Sequence, residues 1–315
     1  MKSLTVAVVA LAATGCIRIV ELDDDDHCDA DDETPLPLDA APLDAPDLSP
    51  FDCAIELPCP PPLPGKLTVC GRLVDLETNA PVAVAHPTRT ACTGVTADGP
   101  CSIALRFVDF LEFSMNPVSA TPIAPESLIV DDCGRFRATN LNRPAFGFIG
   151  VVTDDAAGTS DRHRPTLIVS PNGLAAPAAG RRAYVTRSAT NQAWTAAAGL
   201  GGQTLLDRGL LVLSHRHRGN PVAGVSARRA GNPIPNDDLY FSDPGPTRST
   251  VAPAATATGA NGTALVLNVP SATNHSGAGA EPPGCRWPES LGAAIPGAVM
   301  VLERDAETTT GAPCP

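Results

Sequence analysis

Gly71-Arg72-Leu73-Val74-Asp75-Leu76-Glu77-Thr78-Asn79-Ala80-Pro81-Val82-Ala83-Val84-Ala85 is the stretch from which the fold is read. Together with Lys66-Leu67-Thr68-Val69-Cys70 before it, it places Leu67, Val69 and Leu73 on one side of an extended chain. That period of two is the mark of a half-buried strand. A polar turn at Glu77-Thr78-Asn79-Ala80 then reverses the chain into Pro81-Val82-Ala83-Val84. The order recurs further on. Leu210-Leu211-Val212-Leu213 runs through His215-Arg216-His217-Arg218-Gly219-Asn220 into Pro221-Val222-Ala223-Gly224-Val225. Likewise Thr258-Gly259-Ala260-Asn261-Gly262-Thr263-Ala264-Leu265-Val266-Leu267 parallels Thr96-Ala97-Asp98-Gly99-Pro100-Cys101-Ser102-Ile103-Ala104-Leu105. Asp-Gly and Asn-Gly suit tight hairpins because both residues tolerate positive φ. Leu265, Leu267 and Val269 are expected to face inward. Phe146-Gly147-Phe148-Ile149-Gly150-Val151-Val152 and the region of Val299 and Val301 read as further buried strands.

The stretch from Gly71 to Ala85 resembles the start of carboxypeptidase regulatory-like (prealbumin-like) β-sandwich modules. Their pattern is roughly G-x-V-x-D-x-x-T-x-x-P-V-x-x-A, followed by a strand pair carrying D-x-x-G-x-F. Two stretches are similar to that second part, Thr96-Ala97-Asp98-Gly99 and Asp131-Asp132-Cys133-Gly134-Arg135-Phe136. The chain departs from the pattern in a long insertion before Asp131 and in lacking an aromatic residue after Gly262. The resemblance implies an all-β fold, two small Ig-like or prealbumin-like sandwiches at 65–170 and 205–315. The Ala/Gly/Pro-rich stretch 171–204 between them reads as a linker or a partly ordered crossover. It says little about activity, since modules of this kind serve as accessory domains of peptidases, adhesins and transport receptors.

Composition agrees with short strands and thin cores. Among 315 residues there are 33 Pro and 27 Gly, and only 4% are aromatic. Proline removes an amide donor and glycine raises the entropy lost on ordering, so long helices are disfavoured. The net charge of −12 is concentrated. Residues 17–56 hold 14 of the 34 acidic side chains and one base, Arg18. From Leu57 onward acids and bases balance at 20 each. A neutral body carries no electrostatic footprint for nucleic acid.

The first residues read as an export signal. Lys2 is followed by an apolar stretch from Leu4 to Ala13, far shorter than the ~20 residues of a spanning helix. Ala13-Thr14-Gly15-Cys16 resembles the lipobox of bacterial lipoproteins, although that family prefers Leu where Ala13 stands. The resemblance implies cleavage of residues 1–15, acylation of Cys16 and a membrane partner reached through the lipid. Several acyl chains anchor stably where one does not. In that family Asp after the cysteine signals retention at the inner membrane in enteric bacteria; Ile17 stands there instead, so the resemblance implies the outer membrane or cell surface, with a periplasmic face also compatible. Residues 16–64 are then expected to form a disordered acidic, Pro-rich tether, because like charges repel and ten prolines stiffen the chain. The aspartate run Asp23-Asp24-Asp25-Asp26 lacks the turning glycine and spaced final Glu of a calcium loop.

Nine cysteines remain after Cys16. In an exported chain they read as disulfides. Cys92 and Cys101 flank the Asp98-Gly99 turn, and Cys285 and Cys314 would tie down the carboxyl end. Cys53, Cys59, Cys70 and Cys133 make two more bridges of open connectivity, which leaves Cys28 odd. No C-x₂-C pair suggests zinc. Of the six histidines (His27, His86, His163, His215, His217, His275), only His215 and His217 are close. On a strand they share a face and are weak candidates for a metal, but flanking Arg216 and Arg218 favour a solvated strand end.

Catalytic motifs of the G-x-S-x-G, H-E-x-x-H, P-loop and G-x-G-x-x-G kinds are missing from the sequence. The carboxylate doublets Asp131-Asp132 and Asp237-Asp238 sit beside turn residues. Trp194, Trp287, Tyr240 and Phe241 suit either a sugar-stacking face or the core. The expected protein is a lipid-anchored, non-catalytic scaffold, adhesion or ligand-binding module without a cofactor, facing an envelope protein or polysaccharide. An accessory subunit or degenerate hydrolase with a loop-built site, and a metal-sequestering lipoprotein, are the alternatives.

Overall fold

The computed structural model describes residues 53–84, 91–92, 100–115, 120–143, 148–154, 163–170, 178–200, 202–207, 209–234, 236–269, 273–293 and 295–315. The export signal, Cys16, the acidic run, Cys28, His27, His86 and the Asp98-Gly99 turn lie outside these residues. Pro46–Pro315 forms one compact unit.

The fold is mostly β, as expected. A five-stranded sheet has the order Ser127–Val130, Arg135–Asn142, Lys66–Asp75, Ala178–Arg187, His163–Arg164. Beside it runs a larger sheet: Val251–Ala252, Asp238–Phe241, Thr263–Val266, Leu210–His217, Val299–Asp305, Thr166–Ser170, Phe148–Asp154, Ile103–Asp109. Asn220–Pro221 folds back on Leu210–His217 through Arg218 and Gly219, both at positive φ, the hairpin geometry that the strands' twist favours. A four-stranded sheet joins Asn232–Pro233, Ser226–Arg229, Thr273–Ala278 and Ser290–Gly292.

The strand Lys66–Asp75 is more buried than its alternation implies. Thr68, Cys70 and Val74 are covered as fully as Leu67, Val69 and Leu73. It sits mid-sheet, antiparallel to Arg135–Asn142 on one side and parallel to Ala178–Arg187 on the other. One face packs Leu67, Val69 and Leu73 against Leu105, Phe107, Phe148 and Val152 of the larger sheet. Phe107 and Phe148 meet edge to face with centroids 5.6 Å apart, a favoured arrangement for two rings.

Two expected boundaries need correction. The linker assigned to 171–204 contains the strand Ala178–Arg187 and the helix Ser188–Ala198. This strand pairs with the one that opens the fold, Gly71 against Arg181 and Asp75 against Val185. The helix buries Trp194 and ends at Gly199 in the left-handed conformation, the usual helix stop. Moreover Thr166–Ser170 pairs in parallel with Val299–Asp305, so strands from 65–170 and 205–315 share one sheet. The tether also ends early: residues 53–64, expected to belong to a disordered or polyproline-like tether, lie against the five-stranded sheet.

Gly71 decides the close pairing. A Cβ at this position would lie 1.8 Å from the carbonyl oxygen of Arg181, a backbone atom that cannot swing aside. Gly71→Ala is therefore expected to force the two strands apart and cost about 3 kcal/mol, the upper part of the range for overpacking. Urea unfolding of the two proteins measures it. An unchanged midpoint would contradict this pairing.

Candidate functional site

Two places concentrate chemistry that the folded core does not require. The first is where the chain from the amino-terminal side joins the body. Cys53 is bonded to Cys133, with Cα atoms 5.5 Å apart, and Cys59 to Cys70 at 5.7 Å. These distances suit a disulfide. Between and beside the bridges, side chains of the five-stranded sheet grip the backbone of the arriving segment. Arg72 donates from Nη2 to Ala54 O at 2.6 Å and pairs with Glu56 through Nε at 2.5 Å. Arg135 donates to Ile55 O at 2.9 Å. Asn140 Oδ1 accepts from the Leu63 amide at 2.9 Å. The segment has few backbone partners of its own, and five prolines from Pro58 to Pro64 remove donors. It is held by side chains and sulfur instead.

Arg135 is itself fixed. It is fully buried and makes a 2.7 Å ion pair with Asp131. Asp131 Oδ1 accepts from the amides of Cys133 and Arg135 at 3.1 and 2.9 Å. The doublet Asp131-Asp132 thus builds a turn. The ligand atoms of Asp131, Asp132 and Cys133 lie within 4.8 Å of one another. Yet the Cys133 sulfur is bonded to Cys53 and the Asp131 carboxylate is neutralised by Arg135, so this is a poor cation site. The other bridges join Cys92 to Cys101 and Cys285 to Cys314, at 5.2 and 6.0 Å between Cα atoms.

The second place is a polar cluster between the larger sheet and the four-stranded sheet. His215, expected at a solvated strand end, is 0% exposed and packs edge-on to Trp287 at 5.3 Å. Its correction comes from tertiary cover: the ring lies beside Gly277 of Thr273–Ala278 and against Trp287. Burial, then the Arg304 guanidinium, push its pKa down to about 3. His275, also buried, is held down to about 4, by burial first and then by Arg304 and Arg229. Arg304 pairs in register with His215 and is lowered to about 9 by burial. His217 lies apart, its Nε2 3.1 Å from the carbonyl of Pro315. The structure therefore does not bring His215 and His217 to one ligand position, and Arg304 opposes a cation at His215.

The opposite face of the same strands carries a closed network. Tyr184 donates to Glu303 at 2.5 Å, and Arg216 reaches Glu303 at 2.8 Å and the Tyr184 hydroxyl at 3.1 Å. Burial, and next Glu303, raise the Tyr184 pKa. Arg248 stacks over the Tyr184 ring and donates to Leu76 O and Thr263 Oγ1. Each group has a partner, which marks the network as structural.

Aromatic residues take core places. Trp194 packs on Phe241 at 5.2 Å and donates to Arg248 O, while Trp287 donates to Gly279 O. Tyr240 packs in a different cluster from Trp194. They form no common stacking face. Among the described residues, no helix is long and apolar enough to cross a membrane.

No protein-family model and no curated protein matches the sequence. Among solved structures, the chain is similar to the shaft pilin SpaA from Lactobacillus rhamnosus GG, at 10% identity, covering 76% of this chain and 97% of that one, with a TM-score of 0.22. It is also similar to the Bacillus anthracis TIE protein, at 10% identity, covering 78% of this chain and 34% of that one, with a TM-score of 0.20. A Streptococcal ancillary pilin shares 9% identity over 76% of this chain and 68% of its own, with a TM-score of 0.20. Scores of this size assign neither fold nor function.

Proposed function

We propose that the chain is an exported, lipid-anchored, non-catalytic display protein, whose β body serves as a scaffold or adhesion module on the outer membrane or cell surface. The observation that carries this reading is the stapled segment 53–64. A chain arriving from a membrane anchor transmits any pull on the body through its first attachment. Here that attachment is covalent at Cys53 and Cys59 and reinforced by Arg72 and Arg135. Four disulfides belong to an oxidising compartment, in keeping with export. The small residues before Cys16 supply the acylation signal, and an envelope protein or polysaccharide is the partner class that a displayed module meets.

Fractionation of producing cells tests the anchor. The wild-type protein is expected to sediment with membranes and to be released by detergent but not by high salt. Cys16→Ala is expected in the soluble fraction. Identical fractionation of the two would overturn the lipid anchor.

A further inference from the structure

Arg304 is 2% exposed, and only one of its nitrogens has a protein partner: Nη2 donates to Ser290 O at 3.4 Å. Nε and Nη1 are buried without one. The acid that acts on it is Glu289, whose side chain is exposed and lies 3.5 Å from Asn274 Nδ2. A guanidinium in such surroundings with no counter-charge in contact is strongly disfavoured.

Its neighbours are donors rather than acids. His275 is the register partner of Ser290, and its Nε2 lies 3.1 Å from the Thr273 hydroxyl. When that hydroxyl donates, the ring proton sits on Nδ1, which is buried and completes no hydrogen bond, although the Arg228 backbone lies close enough to favour the charged ring. Neither ring nitrogen of His215 completes a hydrogen bond, although the backbones of Ser276 and Gly262 lie close enough to favour its charged form. Arg229, opposite His275, is already engaged by Leu267 O at 3.1 Å and by Asp237 at 3.8 Å. The cluster thus offers one uncompensated fixed positive charge and neutral N–H groups, with Trp287 packed edge-on to His215. A cation is repelled by Arg304. A divalent anion would leave an unpaired negative charge.

We propose that Arg304, His215 and His275 bind a small monovalent anion, held by the Nε–H and Nη1–H of Arg304 and the imidazole N–H groups. Chloride and formate share this chemistry, and the salts used below separate them.

Thermal unfolding at pH 7 and constant ionic strength tests it, with sodium chloride, formate or gluconate as the salt. Gluconate is too large for a closed cluster. Tm is expected to rise in chloride, formate or both over gluconate, by roughly 3 °C for each tenfold excess over the dissociation constant. Arg304→Met is expected to lose that dependence. Bromide-grown crystals of the wild-type protein give a readout that needs no variant, an anomalous peak beside Arg304 Nε. Equal melting in the three salts, an equal response of the variant, or, where chloride raises Tm, a bromide map with no peak at Arg304 would each overturn the proposal.

Discussion

Replacing Cys53 and Cys133 together by alanine is expected to lower the stability of the folded body by about 4.5 kcal/mol. The two residues are 80 apart in sequence. Closing a loop of that length removes entropy from the unfolded chain, which the chain-entropy relation converts to this magnitude at 25 °C. Local contacts add to it. Without the bridge, Arg135 holds Ile55 by one hydrogen bond and Arg72 holds Ala54 and Glu56 from a more exposed position. The shorter bridge, Cys59–Cys70, spans 11 residues and is worth about 2.7 kcal/mol on the same relation. Urea unfolding without reductant separates them. Cys53/Cys133 alanine protein as stable as wild type, or less affected than Cys59/Cys70 alanine protein, would contradict the assignment of the longer bridge as the main staple.

Acid is expected to weaken the fold well above the range where carboxylates titrate. In the unfolded chain His215 takes up a proton near pH 6.5. In the folded body it stays neutral until about pH 3. Between those values the unfolded state binds the additional proton, so stability falls as the pH falls and is fully restored above pH 7. By pH 4 the loss from His215 alone is on the order of 3 kcal/mol. His275, with a folded value of about 4, adds a smaller loss over a narrower window. Gln at position 215 keeps a polar, uncharged side chain and is expected to flatten the dependence between pH 6.5 and 4. A wild-type protein equally stable at both ends of that window would show that His215 is not buried.

The strands that open the reading were legible because their side chains decide their state locally. Leu67, Val69 and Leu73 alternate, and Leu265, Leu267 and Val269 do the same; all six are buried. The strand Ala178–Arg187 was not legible. Its first half is Ala-Ala-Gly-Arg-Arg, with Gly180 at positive φ and Arg181 exposed, and only Ala183, Tyr184 and Val185 carry apolar weight. What makes it a strand is the gap beside Gly71, a property of a residue a hundred positions away. The helix Ser188–Ala198 did leave a signal, alanines at high helix propensity followed by Gly199, that the surrounding Pro and Gly obscured.

The polar clusters were hidden for a related reason. Arg304 stands between Glu303 and Asp305, a texture that reads as solvated surface, and His215 stands beside Arg216. Parallel pairing of Leu210–His217 with Val299–Asp305 places His215 and Arg304 on one face, Arg216 and Glu303 on the other, and then covers both. Sequence spacing does not foretell cover supplied by other sheets. The cysteines show the same division. Their number and the export expected from the first residues implied bridges, but the partners of Cys53 and Cys59 depend on which face of the five-stranded sheet the segment crosses.

The most direct test is mass spectrometry of the protein isolated from producing cells and digested without reduction. We expect cross-linked peptides joining Cys53 to Cys133 and Cys59 to Cys70, with an acylated amino terminus at Cys16. Free thiols at Cys53 and Cys133 on a chain that retains Met1 would contradict the account of an exported body stapled to its own anchor.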